Sequence, residues 1–171
     1  MAIIRQEDSK HTVELTGQDK ENYIKARFNY SQEILKPIRW NEDKRNTIAQ
    51  YLECEDELVD FGYDEYTFVF GNQEYLVVTD VEAYELAENY IKDSVWAFNS
   101  SFLASHSNVN EDIFRLLQDK CEDSNQAILN SINDIDDFIA DAIACDGIAH
   151  FLSTYDGNEE ELNDFYIYRT N

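Results

Sequence analysis

Three aspartates, Asp134, Asp137 and Asp141, stand at i, i+3 and i+7 in a stretch of helical character, with Asp136 beside them. That spacing puts them on one helix face, opposite a row of isoleucines. At about 1.5 Å of rise per residue the first pair is ~4.5 Å apart along the axis and the second ~6 Å. Such a row approaches the pitch of phosphates along one nucleic-acid strand. It also weakens its own helix, because like charges at these spacings repel. An ordinary solvated helix face has the same composition.

Clustered aspartates also bind hard cations. Asp136-Asp137 with Asp141 has that superficial look, yet no second aspartate-rich helix answers it, and the EF-hand pattern is absent. Asp156-Gly157-Asn158-Glu159 is too short to serve. Neither a metal nor another cofactor is expected.

Nucleophilic chemistry has one candidate, Cys145 with His150, oriented by Asp146 or Asp156. The apolar helical context of Cys145 points instead to a buried, inert thiol. His11, His106 and His150 show no metal-ligand spacing, and there is no HExxH, CxxC, GxSxG, P-loop or GxGxxG. No catalytic residue is assigned. An enzyme or host-factor modifier built around His150 and Asp156 stands as the second reading, with a plain acidic interaction module beside it.

The chain has 171 residues, 36 acidic against 13 basic, for a net charge of −23 and a pI near 4.2. A small domain needs only about 2–8 charges for solubility, and the excess opposes compaction. Its distribution is uneven. Residues 1–45 hold nine basic and eight acidic residues, whereas 46–171 hold four basic and 28 acidic. Throughout-acidic halophilic composition does not fit the balanced first quarter. Direct nucleic-acid binding and docking on anionic membranes are both disfavoured by repulsion. No run nears the roughly 18 apolar residues of a membrane span, and a signal-peptide core is missing. Cys54, Cys121 and Cys145 are an odd, unpaired set that fits a reducing cytosol, so a cytoplasmic location is expected.

With 43% hydrophobic residues and 13% aromatics, the chain is rich enough for one packed core. Eleven tyrosines and ten phenylalanines could stack single-stranded bases, but the charge argues for core filling and protein contacts. The expected fold is a single α+β domain over 1–171, helices on short antiparallel hairpins, with 1–45 a near-neutral subregion and 46–171 strongly acidic. A strand is expected at 12–15 and a helix at 19–35, closed by Pro37. Asn41 should cap a helix running to 57, and 66–70 with 75–79 should form a hairpin. Thr79 or Asp80 should cap a long helix to 105, with Tyr84, Ala87, Ile91, Val95, Phe98 and Phe102 as its buried stripe. Asn108 or Asn110 should open the next helix. A further helix should run from 124 to 145, with Ile128, Ile132, Ile135 and Ile139 inward and Gly147 as its stop. A second hairpin should pair 150–155 with 165–168. The partner-binding candidates are Asp134, Asp136, Asp137 and Asp141; Glu82, Glu85 and Asp93 on the exposed side of the long helix; and Glu53, Glu55, Asp56 and Glu57.

Asp146-Gly147, His150-Phe151-Leu152-Ser153, Tyr155-Asp156-Gly157 and Phe165-Tyr166-Ile167-Tyr168-Arg169 carry a resemblance over residues 75–171. This part is similar to small acidic tailed-phage proteins of unassigned function. In overall character the chain resembles the DNA-mimic antirestriction and anti-CRISPR inhibitors, an analogy of composition. The implied function is occlusion of the nucleic-acid groove of a host defence nuclease. The partner would be a basic protein such as a CRISPR effector or restriction enzyme. The first 45 residues would then add partner specificity or support a homodimer.

Overall fold

Strand signals in the aromatic and β-branched runs become a five-stranded antiparallel sheet. The structure, a computed structural model, describes residues 2–5, 12–15 and 41–171. The chain divides into two compact units, Met1–Asp43 and Lys44–Asn171. In the first, β1 (Ala2–Arg5) pairs antiparallel with β2 (Thr12–Leu15), the strand expected at 12–15. The helix expected at 19–35 and its Pro37 stop lie outside the described residues.

The second unit is α+β. Its sheet contains β3 (Asp60–Phe61), β4 (Thr67–Phe70), β5 (Gln73–Val78), β6 (Glu160–Leu162) and β7 (Phe165–Arg169), in the order β3-β4-β5-β7-β6. The expected hairpin is β4–β5, turning through Gly71 at φ +64°, which glycine adopts without strain. A period of two divides β5 between faces. Tyr75 and Val77 join Phe68, Val59 and Ile167 in one core; Val78 joins Tyr168 in the other. The first core is closed by Ile48 and Ala49 of the helical residues 41–51 (α1). The second takes side chains from α2 (Asp80–Asp93), α3 (Ser100–Ser105), α4 (Glu111–Gln118), α5 (Asn125–Leu129), α6 (Ile135–Asp146) and α7 (Ile148–Leu152).

Several expected elements are shorter. Asn41 is already helical rather than a cap, and α1 stops at residue 51; Glu53 then takes φ 54°. The long helix from 79 breaks after Asp93 into a 3₁₀ turn, Val95–Ala97. Side-chain amides make that break tolerable by satisfying the freed backbone groups. Asn125 accepts the Trp96 N–H (3.0 Å) and donates to Lys92 O (2.8 Å). Gln118 donates to Trp96 O (2.9 Å) and Phe98 O (2.6 Å). The helix expected over 124–145 is α5 and α6, parted by a turn whose Asn133 N–H donates to His106 O (2.9 Å). Ile128 and Ile139 are buried on both sides of that turn, with Ile132 and Ile135 packed beside them. Residues 150–155 are not a strand: α7 occupies their start and buries Phe151 and Leu152. The last hairpin is instead β6–β7, turning through Asn163 and Asp164 at φ 52° and 66°.

Two close contacts hold this unit together. Gly62 donates its N–H to Thr67 O (2.8 Å), and a Cβ there would sit 2.6 Å from Thr67 Cγ2. Lys44 is 1% exposed, yet its ammonium meets both Glu82 oxygens at 2.9 Å and lies 4.7 Å from the Tyr66 ring centre. Glu82 also accepts the Thr79 N–H (2.7 Å), completing the capping box of α2. Removing Glu82 orphans a buried ammonium, whereas removing Lys44 leaves a carboxylate that is 22% exposed and still bonded to Thr79. Glu82→Ala should therefore cost about 3–5 kcal/mol and Lys44→Met about 1–2 kcal/mol in urea unfolding. The reverse order would refute this account of the pair.

One buried and one partly buried phenol give a second expectation. Burial, reinforced by hydrogen bonding to Glu159 at 2.5 Å, raises the Tyr168 pKa; burial and Glu65 push Tyr66 up to about 12. A folded-state pKa above the unfolded value stabilises fully below the unfolded pKa of about 10. That stability disappears as pH rises from there through 12. Circular dichroism and tyrosinate absorbance should show unfolding and late phenol ionisation together in that window. Complete ionisation near pH 10 with the fold intact would contradict it.

Candidate protein-binding surface

Carboxylates are spread over β3, β5, β6, α2, α4, α6 and the turns between elements, and few are neutralised. Of the 28 in residues 46–171, Glu82, Glu88, Glu111, Asp112 and Asp141 take part in ion pairs among the described residues. Two of the cations spend their donors on carbonyls and ring faces. Arg45 donates to Val59 O (3.0 Å) and covers Phe61; Arg169 donates to Asn171 O (2.7 Å) and lies 3.8 Å from the Tyr155 ring centre.

The aspartate row does not form as the spacing implies. Asp134 is the N-cap of α6, extended at φ −138°, accepting the N–H groups of Asp136 (3.1 Å) and Asp137 (3.2 Å). Asp141 is drawn to His106, with 3.1 Å between Oδ2 and Nε2. His106 is lodged between Phe102 and Phe138, so this contact ties α3 to α6. Asp136 and Asp137 remain exposed at the start of the helix. A cap residue has to leave helical geometry so that its side chain can reach forward, which removes it from the face that periodicity assigned it. Asn133-Asp134 before an apolar run was the readable sign of that cap.

Glu82 is likewise not a free surface group: it is half-buried beside Lys44 and caps α2. Glu85 and Asp93 are exposed as expected, and so are Glu53, Glu55, Asp56 and Glu57, the last two within a 3₁₀ turn, Asp56–Leu58. The sheet assembles another group that sequence spacing did not single out. Glu161, Asp80 and Glu159 all act on the Tyr166 phenol and hold its pKa up, Glu161 most strongly. The register Val78↔Tyr166↔Glu161 brings them together across strands far apart in sequence.

The nucleophile candidates are placed differently from expectation. Cys145 is exposed rather than buried, and Cys121 is exposed too. His150 lines an open groove with Asp146. Asp156 is bonded elsewhere: the Asn158 N–H (3.0 Å) and Ser153 hydroxyl (2.9 Å) lower its pKa, the backbone contact foremost. Among the described residues, no group of three or more His, Cys, Asp or Glu side chains is arranged to hold a metal ion. Nor is any helix there long and apolar enough to cross a membrane.

Asp134→Ala separates the capping role from the charge role. It removes one negative charge from an overcharged unit, yet should lower stability by about 1–2 kcal/mol through loss of the cap. Thermal or urea melts that show stabilisation instead would return Asp134 to the ranks of free surface acids.

Comparison with known protein families, curated proteins and solved structures finds no match.

Proposed function

We propose that the acidic unit is an inhibitor that stands in for nucleic acid in the groove of a basic defence protein, such as a CRISPR effector or a restriction enzyme. The observation that carries this reading is the near absence of internal neutralisation. Four basic residues accompany 28 acidic ones in 46–171, and most of those carboxylates project from helices and turns of a packed body without a cation. A partner rich in Lys and Arg supplies the missing countercharge. Carboxylates fixed by a fold need little ordering when they bind, and their summed field accelerates encounter with a positive cleft. The exposed groups at Asp136, Asp137, Glu85, Asp93 and Glu53–Glu57 are the proposed contacts, together with Asp80, Glu159 and Glu161. The first unit, with its balanced charge, is assigned partner specificity or self-association. A phage origin and action in the host cytoplasm complete the proposal, in keeping with the resemblance of residues 75–171.

The test is capture from a bacterial lysate at low and high salt, followed by competition on each captured protein. The proposal expects basic nucleic-acid-binding proteins that are released toward roughly 1 M salt, where the screening length is about 3 Å. It also expects that DNA or RNA and this protein exclude one another. Asp136→Lys with Asp137→Lys should slow association without unfolding the protein. Retention of the partner at high salt, or nucleic acid still binding to a partner saturated with this protein, would defeat the reading.

A further inference from the structure

One concavity combines aromatic walls with a single carboxylate. It is an open groove of about 240 Å³, below the ~300–1,000 Å³ usual for small-molecule sites, so its scale suits one side chain. Phe151 forms the floor, and the rings around it are Tyr90 (centroids 6.1 Å apart), Phe98 (6.2 Å, nearly parallel) and His150 (5.1 Å, edge-on). Asp146, the last residue of α6, stands among them. A helix C-terminus carries partial negative charge, so the carboxylate and the helix end act in the same sense. The Ser94 hydroxyl is occupied by Tyr90 O at 2.6 Å. With Phe98 and Phe151 stacked on each other, what remains open is the exposed Tyr90 and His150 rings beside one negative group, the chemistry that holds a flat organic cation.

We propose that this groove receives the guanidinium end of one arginine side chain from a basic protein partner. The proposal rests on the functional reading above for the partner's character, and adds an anchoring point to it. Arginine suits the groove better than lysine for two reasons. Its planar group stacks on aromatic rings while presenting paired donors to a carboxylate, and its charge is more weakly hydrated. Exposure of Tyr90, Asp146 and His150 leaves them free to meet it without disturbing the core.

The experiment is an NMR titration of the full chain at pH 8 with Nα-acetyl-arginine methylamide, alongside the citrulline and lysine counterparts. Expected are saturable shifts centred on Ala97, His150 and Phe151 with the arginine probe, and weaker or absent ones with the other two. Asp146→Asn should weaken the arginine probe by about tenfold, and Tyr90→Ala should weaken it while leaving the remaining spectrum folded. Equal response to citrulline or lysine overturns the proposal. So does an unchanged affinity in Asp146→Asn, or shifts spread over the acidic surface with no centre at the groove. Because the probe is independent of any partner, the two readings fail separately. Loss of groove binding with intact nucleic-acid competition removes only the anchor; groove binding without competition removes the mimic.

Discussion

A single buried ammonium, that of Lys44, is the contact on which the acidic unit depends. α1 supplies it, the residue is 1% exposed, and Glu82 and the Tyr66 ring receive its charge beside the second core. The same carboxylate starts α2 by capping it. One ion pair thus joins the helix on one sheet face to the helix that opens the layer on the other. In a chain short of cations, enclosing one is expensive and adds nothing to solubility. Its effect is to tie α1 to the start of α2, with Nζ 2.9 Å from each carboxylate oxygen.

That interior attraction sets off the character of the surface. Lys44 and Arg45 turn to Glu82 and Val59 O, and Arg169 lies over the exposed Tyr155 ring, so most outer carboxylates face water and each other. Exposed pairs such as Arg115 with Glu111 each contribute little. The apolar burial of two cores therefore has to outweigh a repulsion that a few ion pairs and caps relieve only in part. Charge on the unit is organised by turns, caps and strand ends more than by any one helical row.

The parts of this arrangement that were legible in the sequence are the locally encoded ones. The β4–β5 hairpin announced itself through β-branched alternation around a glycine turn, and local cap chemistry narrowed two helix starts to Thr79 or Asp80 and Asn108 or Asn110, of which Thr79 and Asn110 are the caps. The breaks at 94–99 and 130–134 were hidden because the inward stripe continues through them. Val95 in the 3₁₀ turn and Ile132 in the second break still pack on the core, so apolar spacing carries no trace of the interruption. What makes each break possible comes from elsewhere: Gln118 and Asn125 for one, His106 O for the other. α7 was read as strand since five residues are too few to display a helical period. The Lys44–Glu82 pair, 38 residues apart, had no local sign at all, and the aromatic groove is gathered from α2, the break after it, α6 and α7.

Gly62 imposes a different kind of limit. A Cβ there meets Thr67 Cγ2 at 2.6 Å, and the adjoining hydrogen bond extends the β3–β4 pairing. Acidic positions in water are interchangeable, Asp for Glu or one turn for the next, whereas this contact admits a single residue. Evolutionary drift would accordingly rewrite the charged exterior quickly and spare a handful of quiet interior positions. A distant cousin of this protein would be recognised by its glycine before β4 and its enclosed lysine, with the carboxylates shuffled beyond alignment.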